Sequence, residues 1–283
     1  MKKNLVKKAV LPALIALLCS VVALTSVSYA WFSMGNQASV EGVEMNVTSA
    51  GGLQISATGN ATDFKSTLNV SDLKGATGNN FPETAVVPVS TSGTVTDGSL
   101  SFFTGQIENG VLGTVSASTS YICFDIYVKV NVANKLHLEK GSTVTCADKD
   151  TELATRVAFV NLGYGQTAKE AQDKSGEHWV PSTEIKIWEP NSTTRSQAYL
   201  NAGGTESGKL TYKGIADTSK KEEAVTTFDF VESTDSVELC SLNEGYNRIR
   251  VYIWLEGQDV DCLNEISGGK LSVNLKFKQP ENK

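Results

Sequence analysis

Histidine is almost missing from this chain. Among 283 residues there are two, His137 and His178. That scarcity, with no H-E-x-x-H spacing, excludes a helix-borne zinc protease site. No G-x-S-x-G occurs, so the strained serine turn of an α/β-hydrolase is absent too. No C-x-x-C pair marks a structural zinc site. Beyond the first eight residues basic side chains form no cluster, and the net charge is −6, which argues against nucleic-acid or anionic-membrane partners. Helix formers are concentrated nowhere. His137 alternates with Leu136 and Leu138 as a strand surface residue, and His178 lies in a polar loop tip. The short acidic pairs Asp148-x-Asp150 and Asp259-x-Asp261 fall short of the six or more oxygens calcium requires. No catalytic residue, cofactor or metal ligand set is assigned, and enzymatic function is not expected.

Charge is also absent from one long stretch. Lys2, Lys3, Lys7 and Lys8 precede a run without a charged residue that lasts until Glu41. Ala9 to Val27 is mostly apolar and ends in Ser28-Tyr29-Ala30. A basic start, an apolar core and a small-x-small end make a secretory signal, with cleavage between Ala30 and Trp31. Residues 1–30 are then leader and 31–283 one domain, exported from the cell. Ala9 to Phe32 is also long enough to cross a bilayer, which takes about 20 apolar residues. An uncleaved form would be a membrane anchor, touching the membrane only through residues 9–32. Removal of the leader takes away four lysines and no acid, so the net charge moves from −6 to −10.

Gly, Ser, Thr and Asn are plentiful, and turn signals such as Gly51-Gly52, Asp97-Gly98 and Gly268-Gly269 separate short runs with a two-residue period. The strongest is Tyr121–Val132, with Ile122, Phe124, Ile126, Val128, Val130 and Val132 on one face and Cys123, Asp125, Tyr127, Lys129 and Asn131 on the other. Ser39–Thr48, Ile249–Leu255 and Leu271–Phe277 alternate in the same way. Weaker strands are read at Leu53–Ile55, Val86–Val89, Leu136–Leu138, Arg156–Val160, Glu184–Trp188, Leu210–Tyr212 and Thr227–Val231. Short helices are placed near Ser71–Leu73, Thr167–Asp173 and Asp261–Ile266. About eleven strands at irregular spacing predict an all-β fold, a two-sheet antiparallel sandwich. Residues 56–118 and 161–222 read as long loop insertions.

The four cysteines beyond the leader allow two disulfides or four buried thiols. Cys240–Cys262 is the favoured pair, because the two flank one strand and the turn after it. Trp179, Trp188 and Trp254 pack in the core or form a sugar-stacking platform.

Ser28-Tyr29-Ala30-Trp31-Phe32-Ser33, followed by the strand Val43–Val47, resembles the leader and first strand of the TasA/camelysin family. Tyr121–Asn131 with Lys135–Glu139 resembles its long strand, polar break and second strand, and Lys270–Lys278 its final strand. Arg250–Cys262 and Leu271–Lys278 are also similar to a clostridial group of cell-surface proteins with the same Tyr-Ala-Trp-Phe leader. Trp31 and Ser33-Met34-Gly35 depart from the family pattern. The resemblance implies a jelly-roll-like sandwich outside a Gram-positive cell, self-associating into extracellular matrix fibres through its N-terminal strand. The physical reading concurs. Trp31 and Phe32 at a new N-terminus need shelter from water, and a neighbour's sheet edge supplies it. Trp31, Phe32, Val40, Val43, Met45 and Val47 are the candidate assembly strand. A surface adhesin or glycan-binding module, held by an uncleaved leader and using the two loop regions, is the alternative.

Overall fold

The computed structural model describes residues 43–50, 53–82, 86–108, 111–115, 120–147, 149–190, 227–228, 235–257, 259, 262 and 268–280. The described chain is all-β, with two short α-helices and one 3₁₀ turn beside its strands. The leader, strand residues 39–42, 210–212 and 229–231, Asp148, Asp261 and helix residues 263–266 lie outside this set.

The described strands form three sheets. The first holds β1 (Val43–Ala50), β3 (Thr67–Asn69), β8 (Asn134–Glu139), β9 (Thr143–Cys146), β14 (Ser236–Leu242) and β16 (Leu271–Lys278), in the order β14-β8-β16-β1-β3 with β9 also on β16. The second holds β2 (Gln54–Ser56), β7 (Ile122–Val130), β10 (Thr155–Gly165), β11 (Val180–Pro181), β12 (Ile185–Trp188), β13 (Thr227–Phe228) and β15 (Gly245–Leu255), in the order β13-β12-β10-β15-β7-β2 with β11 on β10. The third is the meander β4 (Ser90–Thr96), β5 (Ser99–Glu108) and β6 (Val111–Thr114). Helices α1 (Val70–Lys74) and α2 (Ala168–Asp173) fall where the sequence places them.

The period-two pattern explains how the first two sheets meet. Ile122, Phe124, Ile126, Val128 and Val130 of β7 face the same core as Ile249, Val251, Ile253 and Leu255 of β15. Opposite them lie Leu271, Val273, Leu275 and Phe277 of β16 and Val47 of β1. Phe159 and Phe277 touch edge to face across the gap, with ring centroids 5.8 Å apart. Burial of each such side chain is worth roughly 1.5–3 kcal/mol before entropy is counted. Val132, read as the last member of the β7 face, instead sits past the strand end and is 60% exposed. The chain has already turned toward β8 there.

Several expectations need correction. The architecture is more than a two-sheet sandwich, because the third sheet covers the outer face of the second. Val89 and Leu100 pack with Ala158, Val160, Leu162, Ile187, Tyr252 and Trp254 in a separate cluster. Cys123, read on the polar face, joins this cluster, while Asp125 and Tyr127 of the same face are buried beside Arg248 and Arg250. Part of the supposed 56–118 loop insertion is therefore sheet, and Val86–Val89 contributes only a bridge from Val89 to Glu256. The pairing is also not wholly antiparallel: β1 runs parallel to β16, and β13 parallel to β12. Finally, Cys240 and Cys262 form no disulfide. The eleven residues of β15 separate them in sequence, and at about 3.3 Å per residue that strand carries the chain to the far end of the sandwich. Cys240 lies in the inter-sheet core and Cys262 against Ala154.

Candidate functional site

Among the described residues, the first strand lies between a long parallel partner and a short antiparallel one. Over its full length, Val43 through Ala50 pair in parallel with Leu271 through Lys278. On its other side only Asn46, Val47 and Thr48 are paired, with β3. Val47 is fully buried between Leu275 and Leu68 positions of the same sheet. A parallel partner cannot be reached by a tight hairpin. Here the two strands come from opposite ends of the chain, so this contact closes the longest loop in the fold. Val43 and Met45 belong to the same strand. Ala30, Trp31, Phe32 and Val40 lie outside the described residues.

A row of charge crosses the outer face of the second sheet. Arg250 lies opposite Asp125, and Arg248 opposite Tyr127, on neighbouring strands. Asp125 accepts from Arg248 Nε at 2.9 Å and Nη2 at 2.5 Å, and from Arg250 Nε at 2.7 Å and Nη2 at 2.9 Å. Burial alone would raise the Asp125 carboxyl, but the hydrogen bonds and charges of Arg250 and Arg248 outweigh it and hold it below its ordinary value. Arg248 also donates from Nη1 to the Ala171 and Gln172 carbonyls, at 3.2 and 2.5 Å. It thereby ties the C-terminal end of α2 to the sheet, where a cation suits the exposed carbonyls. Its guanidinium sits 5.2 Å from the centre of the Tyr127 ring.

The same row holds Cys123 opposite Tyr252. Burial pushes both groups up to about 12. At neutral pH the thiol and the phenol stay protonated while Asp125 stays ionised. The row therefore has no activated nucleophile, and it acts as a pin between sheet, helix and meander. The Tyr252 hydroxyl oxygen accepts the Leu100 amide at 3.2 Å, and Phe102 stacks on Tyr121 at 4.5 Å.

A second buried network closes the opposite end. Arg156 Nη2 pairs with Glu189 Oε1 at 3.0 Å and donates to Asp259 Oδ2. Trp254 Nε1 donates to Glu256 Oε2 at 3.1 Å, and Ser90 Oγ donates to Glu256 Oε1. Asp259, one of the acidic residues considered for calcium, is thus engaged by a guanidinium. Among the described residues no group of three or more His, Cys, Asp or Glu side chains is arranged to hold a metal ion.

The tryptophans are dispersed. Trp188 belongs to the inter-sheet core and Trp254 to the outer cluster, both at most 2% exposed, so neither is open to stack on a sugar. Trp179 is half-buried in the segment between α2 and β11. A pocket that sequence reading missed lies elsewhere, lined by Gln54, Lys129, Asn131, Asn134 and Gln279 with Val130 and Val132. The stretch Lys129–Asn134 supplies most of the lining, and only the fold brings Gln54 and Gln279 to it, so no motif signals it.

The chain matches no protein-family model, and no curated protein shows significant similarity to it.

Proposed function

We propose that this protein is an exported structural subunit of a Gram-positive cell surface or extracellular matrix, without catalytic activity. Subunits assemble by exchange of the first strand. In this reading the leader is cut between Ala30 and Trp31, and the two large sheets belong to the jelly-roll-like sandwich that the sequence resemblance implies. Trp31 to Val40 then extends the exchanged strand toward the neighbour.

The observation that carries the proposal is the parallel pairing of β1 with β16 over eight residues. Until β1 docks, the β16 edge and the slot for Val47 stand open. A second subunit's β1 makes the same backbone bonds and fills the same slot, so exchange forfeits no contact. Gly51-Gly52 directly follows the strand, a sequence suited to a hinge because glycine accepts conformations other residues avoid. Exchange of an identical element is a low-cost route to association, and a head-to-tail arrangement that does not close gives filaments.

The test is a double substitution, Glu44→Cys with Ser272→Cys, at positions that are direct partners across the pair. Oxidised at high protein concentration, the variant should run as a ladder of covalent oligomers that collapses with reductant. Only intramolecular cross-linking, with no filaments in negative stain, would refute strand exchange. Sequencing the N-terminus of the released protein tests cleavage at Trp31.

A further inference from the structure

The pocket missed by sequence reading lies where both large sheets end. Gln54 comes from β2, Lys129 and Val130 from β7, Asn131 and Val132 from the turn that follows, Asn134 from β8, and Gln279 from just beyond β16. It encloses about 240 Å³, less than the roughly 300–1,000 Å³ of a drug-sized site. Four of the seven lining residues carry carboxamides, one carries an ammonium, and none carries a carboxylate. The lining decides the ligand chemistry. Without a carboxylate the pocket does not favour cations. A single ammonium is a sparse set for phosphate, which is recognised by clustered guanidinium or backbone donors. Each carboxamide offers both a donor and an acceptor, and that pairing matches a hydroxyl, which also does both.

The framework is set by the protein itself. Asn134 donates to the Pro280 carbonyl at 3.1 Å, and its Oδ1 accepts the Lys135 amide at 2.8 Å. This side chain is therefore fixed. Gln54 and Asn131 are exposed at the rim, with their carboxamides available to a ligand. The Lys129 ammonium stands 5.5 Å from the Tyr246 ring centre, which steadies it across the face of the sheet. Val132 adds an exposed apolar surface for a ring face.

We propose that this pocket binds one carbohydrate ring bearing a carboxylate, of the uronic acid class, with the Gln54 and Asn131 carboxamides on its hydroxyls and Lys129 on its carboxylate. The site does not depend on strand exchange, so it stands or falls separately from the assembly reading.

The experiment titrates the exported protein with glucuronate, glucose and inorganic phosphate, followed by amide chemical shifts or calorimetry. Glucuronate is expected to bind about tenfold more tightly than glucose, a difference of about 1.4 kcal/mol, and phosphate not to bind. Lys129→Met should erase the preference for glucuronate. Gln54→Ala with Asn131→Ala should weaken both sugars severalfold without a change in melting temperature. The proposal is overturned if neither sugar binds at tens of millimolar, if the rim variants bind as the parent does, or if phosphate competes as well as glucuronate. Filament formation, scored on the same samples, reports on the assembly reading alone.

Discussion

Replacement of Asp125 by alanine is expected to be among the most damaging single changes in this protein. The carboxylate accepts four hydrogen bonds from two guanidiniums, at 2.5 to 2.9 Å. The Asp125 side chain is 4% exposed, and those of Arg248 and Arg250 are 10% and 15% exposed. Asp125→Ala leaves two cations facing each other with little water, and a broken buried pair costs about 3–5 kcal/mol. Asp125→Asn keeps the shape and one acceptor but not the charge, and should cost about 2 kcal/mol. The combination of Asp125→Leu, Arg248→Met and Arg250→Met should cost less than the single alanine change, because no uncompensated charge remains. It still forfeits the bonds from Arg248 to the end of α2. Urea unfolding followed by tryptophan emission reads all three, since Trp188 and Trp254 are buried. The pH dependence has a definite sign. Asp125 is held below its ordinary value in the fold, so between the two values the unfolded chain binds more protons. Its contribution is complete above the unfolded carboxylate pKa of about 3.9 and is lost as pH falls through the folded value. Asp125→Asn should lack that part of the acid slope. An alanine variant within about 1 kcal/mol of the parent, or a triple variant weaker than the single, would refute the reasoning.

Two further outcomes are expected. Gly163 has φ +127°, and a Cβ there would stand 2.2 Å from the Val180 carbonyl oxygen, so Gly163→Ala should cost at least the roughly 1–3 kcal/mol of such backbone strain and loosen β11 from β10, seen as faster amide exchange at those residues. Cys123, Cys240 and Cys262 are buried thiols whose ionisation burial disfavours, so a thiol reagent at pH 8 should leave them unmodified until urea unfolds the chain.

The inter-sheet core was legible in the sequence because its signal is local. β7, β15 and β16 alternate cleanly, and their apolar residues are the ones that meet. The outer face was not legible for the same reason. Asp125, Tyr127 and Lys129 alternate with apolar residues just as a solvated face does, and nothing local reports that α2 and a meander cover the first two. The meander itself hides in Ser-Thr-Ser-Gly-Thr-Val-Thr and Ser-Leu-Ser-Phe-Phe-Thr, where glycine and hydroxyl residues mask the strand period. β14 was passed over because a bulge between Glu238 and Cys240 breaks its alternation. Arg250 belongs to the alternate face of the strand read over Ile249–Leu255, Arg248 precedes that strand, and only the fold brings them both to Asp125. The pocket gave no signal because Gln54 and Gln279 come from segments far in sequence from the stretch Lys129–Asn134 that supplies the rest of its lining.

How the sheets end bears on how such a subunit could associate. A sheet edge with free amides and carbonyls invites pairing with any exposed strand. In the first sheet one edge is β14, and its Ser241 is already occupied. The Ser241 amide donates to Glu184 Oε2 at 3.2 Å, and the Ser241 carbonyl accepts from Asn161 Nδ2 at 3.1 Å. Both partners belong to the second sheet's side of the sandwich, so they block the β14 edge while holding the sheets together. Lys135 and Glu238 place an ion pair alongside, at 3.0 Å, and charge on an edge further discourages pairing. The opposite edge, β3, offers three residues, too few for a stable added strand. Lateral growth is thus disfavoured at the β14 and β3 margins. The β1 slot differs in kind. It lies inside the sheet, pairs over eight residues with β16 and ends in a buried apolar site for Val47. A partner strand gains most there, and only a strand with the spacing of β1 fills it. Assembly by exchange would therefore be selective for copies of this chain, whereas assembly by edge pairing would accept any extended peptide. Equimolar addition of a peptide spanning Ser39 to Ala50 separates the two: the parent peptide should shorten filaments of either kind, whereas one with Val47 replaced by aspartate should spare filaments built by exchange, because the buried Val47 site rejects it, and still shorten edge-paired ones.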